Sequence, residues 1–320
     1  MVGVKEDIKV PLKMRMKAWW EGYDVNDIKE RMAANRAEPE TAPEPEKKAE
    51  PEVEVEKAVW DEARIAATQL IWGDGYCGPG GPENVIAMSK LLALSPKHSA
   101  MVIGAGLGGP SRVLASEFGV WISGYESSDA LAERGMQMSI DAGLEKKAPI
   151  HHKDLNSITE FERKFDRAYS KESLFTVENK TQLLQKVFEH LKDDSLFLVT
   201  DYVVKDQDSL AKPDVISWLR QEPIDPYPVT SDTMVQALEN SGFSIRVNED
   251  ITDQYLNMIS EAWACADNVV QLLAEQGPDG TKNLMMIMKE AEFWGKRTKI
   301  MRSGDLKVHR YLAHKASDEK

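Results

Sequence analysis

Met101-Val102-Ile103-Gly104-Ala105-Gly106-Leu107-Gly108-Gly109-Pro110-Ser111-Arg112 is the stretch whose reading decides the fold. A short apolar run enters a glycine turn, and Val113, Leu114 and Phe118 then continue at helical spacing: strand, tight loop, helix. Glycines at 104, 106 and 108 let the backbone turn sharply and approach a ligand, whose polar groups can meet exposed N–H groups at the helix start. Taken alone, a Gly-x-Gly-x-Gly loop is common to several nucleotide-binding families and also occurs as a plain structural turn.

The flanking residues narrow the choice. Val120-Trp121-Ile122-Ser123-Gly124-Tyr125-Glu126 reads as the next strand, ending in an acid about twenty residues after the first glycine, where a carboxylate can accept from both hydroxyls of a ribose. Ile150-His151-His152-Lys153-Asp154-Leu155 places another acid beyond a third strand. Glycine loop, Glu126 and Asp154 together resemble the class I S-adenosylmethionine-dependent methyltransferases, in which these elements hold the methionine part, the ribose and the adenine. A dinucleotide-binding reading fits less well, because the third glycine follows the second by two residues rather than three.

Upstream, Ile71-Trp72-Gly73-Asp74-Gly75-Tyr76-Cys77-Gly78-Pro79-Gly80-Gly81 is a second glycine-rich segment, with a helix from Pro82 to Leu92 between it and the first strand and another helix over 60–70. This segment is similar to that of the phosphoethanolamine N-methyltransferases and, more loosely, the sarcosine/dimethylglycine methyltransferases, where it folds over the cofactor. Asp166-Arg167-Ala168-Tyr169-Ser170-Lys171-Glu172 resembles the family's fourth strand and its Ser-Arg-Asp motif. Ser195-Leu196-Phe197-Leu198-Val199-Thr200-Asp201-Tyr202 resembles its fifth strand. The resemblance spans roughly residues 60–315. It implies an α/β, Rossmann-like fold: a seven-stranded, mostly parallel sheet with helices on both faces.

The same resemblance implies a site. S-adenosyl-L-methionine would be held by Tyr76, Gly80, Gly81, Gly104, Ala105, Gly106 and Gly108, then by Glu126, Ser127, Asp154, Leu155, Ser170 and Lys171. Glu172 is the catalytic candidate, a carboxylate that would hold a cationic headgroup in line with the methyl. Trp60, Phe175, Tyr202 and Tyr227 would shape the acceptor pocket with it. Two departures stand out. The acid the family usually carries two positions before the first glycine is Val102 here, which implies weaker cofactor affinity or another acceptor for the methionine amino group. The family's Tyr and His at the amine fall on Trp60 and Phe175, neither of which relays a proton. The expected activity is methyl transfer to a small molecule, foremost an amine. The alternatives are a carbon or oxygen methyltransferase acting on a lipid or prenyl-type substrate, and a methyltransferase-fold protein that binds or assembles without turnover.

Composition sets outer limits. The 320 residues carry a net charge of −13 and are 42% hydrophobic; with a pI near 5.1 nothing global attracts phosphate backbones, which excludes general nucleic-acid binding. Cys77 and Cys265 are far apart, no metal-ligand spacing is present, and a reducing cytoplasm is expected. No apolar run approaches the length of a membrane span. Residues 1–36 read as a basic, aromatic arm in which Val10, Leu12, Met14 and Met16 alternate with cations before Trp19-Trp20. That pattern suits packing on the domain or a second subunit, or contact with a membrane surface. Residues 37–58, rich in Glu and Pro, read as a disordered linker, and 59–320 as the methyltransferase domain. The last sixty residues read as mainly helical, with a core-forming Leu284-Met285-Met286-Ile287-Met288 run and Lys296, Arg297 and Lys299 on a solvated face or near an anionic group.

Overall fold

The computed structural model describes residues 57–264, 269, 270, 273 and 277–317. The expected arm and nearly all of the expected linker lie outside the described residues. Within them, seven strands form one sheet in the order β3-β2-β1-β4-β5-β7-β6. Strands β1 (Ser99–Ile103), β2 (Trp121–Glu126), β3 (Ile150–His152), β4 (Phe165–Lys171) and β5 (Leu191–Val204) run parallel, and β7 (Leu306–Lys315) runs antiparallel between β5 and β6 (Ser244–Asp250).

The parallel strands are buried on both faces, so their apolar residues alternate between two cores rather than between core and water. In β1, Ala100 and Val102 join one core, while Met101 and Ile103 join the other. The first core takes helices α1 (Glu62–Trp72), α2 (Gly81–Ser89), α3 (Gly109–Glu117), α6 (Pro213–Gln221), α8 (Thr252–Ala264) and α9 (Gly277–Arg302). The second takes α5 (Lys180–Glu189) and α7 (Ser231–Asn240). Helix α4 (Asp129–Asp141) packs against β2 and β3.

Local chemistry sets the helix starts. Asp61, Ser128, Asn179 and Thr230 accept from the N–H groups of Arg64, Leu131, Gln182 and Thr233, so α1, α4, α5 and α7 open with a satisfied donor. Helices α2 and α3 instead both open on Gly-Gly-Pro, the first glycine of each in a left-handed conformation (φ 113° at Gly80 and 76° at Gly108). The two glycine segments touch: Gly109 N–H donates to the Gly75 carbonyl at 3.0 Å. A Cβ on Gly109 would stand 2.4 Å from that oxygen, so the closeness requires glycine.

Two elements depart from the sequence reading. Residues 306–315, expected within a mainly helical tail, are the sheet's seventh strand, which pairs with β5 and β6 on both sides. Lys192, Asp193 and Asp194, which precede the stretch read as the fifth strand, lie inside β5, where the register against β4 shifts and Asp194 takes φ 56°. Here an irregular strand does the work of a loop.

Candidate active site

The strand order reverses direction between β1 and β4, which opens a crevice at the carboxyl ends of the parallel strands. A cleft of about 950 Å3, counting its open mouth, lies there. Its floor is the loop after β1: Gly104, Ala105 and Gly106. Gly104 passes so close to Ser173 that a Cβ would stand 2.0 Å from the serine oxygen, whereas at Gly106 a Cβ would meet nothing within 4 Å and would project into free space. The loop thus leaves room for a ligand against its backbone.

Glu126 faces this loop from the end of β2. Its carboxylate accepts from Gly106 N–H at 2.7 Å and from Ser128 N–H at 2.9 Å. Burial raises its pKa, against the lowering effect of those two hydrogen bonds. Ser127 and Leu155 line the cleft beside it, and Tyr76 closes it from the segment before α2, with a buried hydroxyl that has no protein partner. Cys77 also lines the wall, but burial pushes its thiol up to about 12, so it is not a nucleophile at neutral pH.

The opposite end is aromatic. Trp60, Phe175, Tyr202, Tyr255 and Trp294 line it. Phe175 meets Tyr202 edge-on at 5.1 Å, and the Tyr202 and Tyr255 hydroxyls lie 3.1 Å apart. Burial raises both phenols, so neither is a base. Lys171 and Glu172 sit at the end of β4, paired with each other, and the other Glu172 oxygen accepts from Thr200 Oγ1 at 2.8 Å. Glu172 N–H donates to the Thr200 carbonyl at 2.7 Å while the residue takes φ 45°, an uncommon conformation for a side chain of this size. Main chain and side chain are both tied to β5.

Of the residues expected to hold a cofactor or an acceptor, those named above line the cleft together. Gly80, Gly81, Gly108, Asp154, Ser170 and Tyr227 are not among its lining residues. Gly80 and Gly108 cap α2 and α3. The Asp154 carboxylate accepts from Asn156 N–H and Ser157 Oγ, 3.0 and 2.8 Å away. Ser170 is buried between β1 and β5, and Tyr227 is partly exposed, with its N–H on the Phe175 carbonyl. Val102 is buried within β1 and also stays out of the cleft.

Residues 85–247, just over half of the chain, match the family described as methyltransferase domain. The chain belongs to that family. It is 28% identical over 199 residues to phosphoethanolamine N-methyltransferase 1 of Zea mays, covering 62% of its own length and 38% of the maize protein. It is 26% identical over 163 residues to a sterol 24-C-methyltransferase of Yarrowia lipolytica, covering 50% and 43%. It thus spans about two-fifths of the length of the curated relatives it matches. Among solved structures, phosphoethanolamine N-methyltransferase 2 of Haemonchus contortus, in complex with S-adenosyl-L-methionine, shares the fold with a TM-score of 0.68 at 18% identity, covering 79% of this chain and 57% of the other.

Glu222, Pro223, Ile224, Tyr255 and Trp294 line the cleft and escape a sequence reading of acceptor contacts. Arg297, expected on a solvated face or near an anion, is buried; Nη2 donates to Glu222, Nη1 to Tyr202 OH at 3.2 Å, and the guanidinium lies 4.5 Å from the Trp294 ring centroid. Lys299 does lie on the surface, paired with Asp214. Among the described residues, no cluster of His, Cys, Asp or Glu is placed to hold a metal ion, and no helix is long and apolar enough to cross a membrane.

Proposed function

We propose that this methyltransferase uses S-adenosyl-L-methionine to methylate a small molecule, with an amine as the acceptor. The residues fit that cofactor: free space over Gly106, the buried Glu126 carboxylate beside it, and a partnerless Tyr76 hydroxyl in the same cleft. When bound, the cofactor supplies a methyl group on a sulfonium, and the protein's part is placement and exclusion of water. Glu126 receives the ribose hydroxyls, while Ser127 and Leu155 flank the base. The aromatic end, with Glu172 and Lys171 in the same lining, holds the acceptor. An amine that enters unprotonated needs no base, which suits a pocket whose tyrosines stay protonated and whose positions 60 and 175 are Trp and Phe.

The observation that carries this reading is Glu126 on the Gly106 N–H, a carboxylate at the tip of β2 facing the glycine loop. Titration calorimetry with S-adenosylhomocysteine tests it. Wild type binds at micromolar or better concentration, and Glu126→Ala binds about 10- to 100-fold more weakly, the worth of charge-assisted hydrogen bonds. No binding by the wild type overturns the reading.

A second reading, methylation at carbon, draws on the sterol 24-C-methyltransferase relative and on the apolar Phe175, Pro223 and Ile224 in the lining. It requires a base, and Glu172 would have to leave its ion pair with Lys171 to act as one. Product analysis by NMR after incubation with amine and alkene acceptors separates N-methyl from C-methyl products.

A further inference from the structure

Among the described residues, the charges that line the cleft are three carboxylates, Glu126, Glu172 and Glu222, and two cations, Lys171 and Arg297. Each cation is already committed. Lys171 pairs with Glu172, and Arg297 pairs with Glu222 in a contact where both side chains are at least nine-tenths buried. Arg297 is confined further by rings: its guanidinium carbon lies 4.8, 4.7 and 4.5 Å from the ring centroids of Tyr202, Phe293 and Trp294. Glu222 is itself fixed by the Trp218 indole N–H. Arg297 Nε alone is left without a partner. A phosphate placed on it would sit beside the Glu222 carboxylate in a water-poor site, where like charges repel strongly. Behind this pair, Arg64 is matched in the same way by Glu290.

Taken with methyl transfer to an amine, on which this inference rests, the geometry points to an acceptor that carries no phosphate: an amine whose remaining body is apolar. A dianionic headgroup needs unpaired cations that converge on it, often guanidinium groups offering two parallel donors. Both cations lining this cleft have spent their charge on carboxylates. Phe175, Pro223, Ile224 and Trp294 offer the rest of the acceptor an apolar wall. The net negative lining also favours an acceptor that arrives as a cation and gives its proton to solvent water before it enters the pocket. The relatives named for phosphoethanolamine are therefore kin in fold and chemistry, and this pocket selects a different acceptor body.

The test uses the full chain loaded with S-adenosylhomocysteine. Titration calorimetry compares 2-phenylethylamine with 2-aminoethyl phosphate, two primary amines that differ in the group beyond the two-carbon spacer. The aromatic amine is expected to bind at least 10-fold tighter. Glu222→Gln keeps the shape and an acceptor for Trp218 but removes the counter-charge of Arg297, and it tightens the phosphate-bearing amine at least 5-fold. Ile224→Lys adds an unpaired cation at the pocket wall and acts in the same direction. Equal or tighter binding of 2-aminoethyl phosphate by the wild type overturns the inference, and so does failure of both amines to bind. S-adenosylhomocysteine is titrated into every variant, so loss of the cofactor site itself registers separately, as failure of the methyl-transfer reading.

Discussion

Glu126 carries the site at the scale of single residues, and its environment gives it a pH signature. In the proposed role it is ionised to accept from two hydroxyls, yet burial raises its pKa from the ordinary carboxylate value. Protonation removes an acceptor, so affinity for S-adenosylhomocysteine falls as pH drops, and the fall begins at a higher pH than an exposed glutamate would give. Calorimetry from pH 8 to pH 5 on wild type and Glu126→Gln checks this: the wild-type profile slopes, and the variant is weak and flat through that range. Glu126 was legible in the sequence because it ends a strand at a fixed distance from the glycine loop, and such spacing survives folding. Glu222, Tyr255 and Trp294 were not legible as partners, and Arg297 was legible only as a cation on a solvated face or near an anionic group. They come from three separate helical segments, and only packing brings them to one end of the cleft.

Two latches act at the scale of elements. Asp250, at the end of β6, accepts from the Thr252 N–H and hydroxyl and pairs with Lys307 of β7 at 2.9 Å, while Thr252 Oγ1 accepts from Val308 N–H. Its partial burial opposes ionisation, but the hydrogen bonds from Thr252 and Lys307 prevail and lower its pKa to about 2. A carboxyl held below its unfolded value stabilises the fold above the unfolded pKa and loses that effect as pH falls through the folded one. Asp250→Asn is therefore expected to lower Tm at pH 7, with the gap to wild type closing between about pH 4 and pH 2; thermal melts across that range read it out. The second latch joins α1 to α9 through Arg64 and Glu290, both buried. Glu290→Leu leaves the guanidinium unpaired and costs about 3–5 kcal/mol, whereas Arg64→Met with Glu290→Leu recovers most of it, as denaturant unfolding will show. The elements themselves were largely legible, since their caps and glycine turns are local. Strand β7 was not, because Leu306, Val308 and Leu312 serve one core while Tyr311 and Ala313 serve the other, with polar residues interleaved on both faces. That mixture has neither the alternation of a half-buried strand nor the continuous run of a fully buried one.

For the whole molecule, every described residue that lines the cleft lies between Trp60 and Arg297. Removal of residues 1–56 is therefore expected to leave S-adenosylhomocysteine affinity within about 2-fold of wild type, a change below the worth of one hydrogen bond. A larger loss would place part of the amino-terminal segment in the site. The two cores reach from α1 to β7, so the remaining chain keeps its own interior.

The position of β7 also bears on how the protein is made. Strand β6 is hydrogen-bonded in the sheet through β7, which is synthesised after the whole of α8 and α9. A nascent chain emerges from its amino-terminal end, and contacts between distant segments must wait for the later partner. Until residues 306–315 leave the ribosome, β5 has an open edge and residues 244–250 lack their pairing strand. Ribosome-bound chains halted before Leu306 emerges should thus be cut by protease near 244–250, and chains that expose Lys315 should resist. The emergence of β7 locks the sheet.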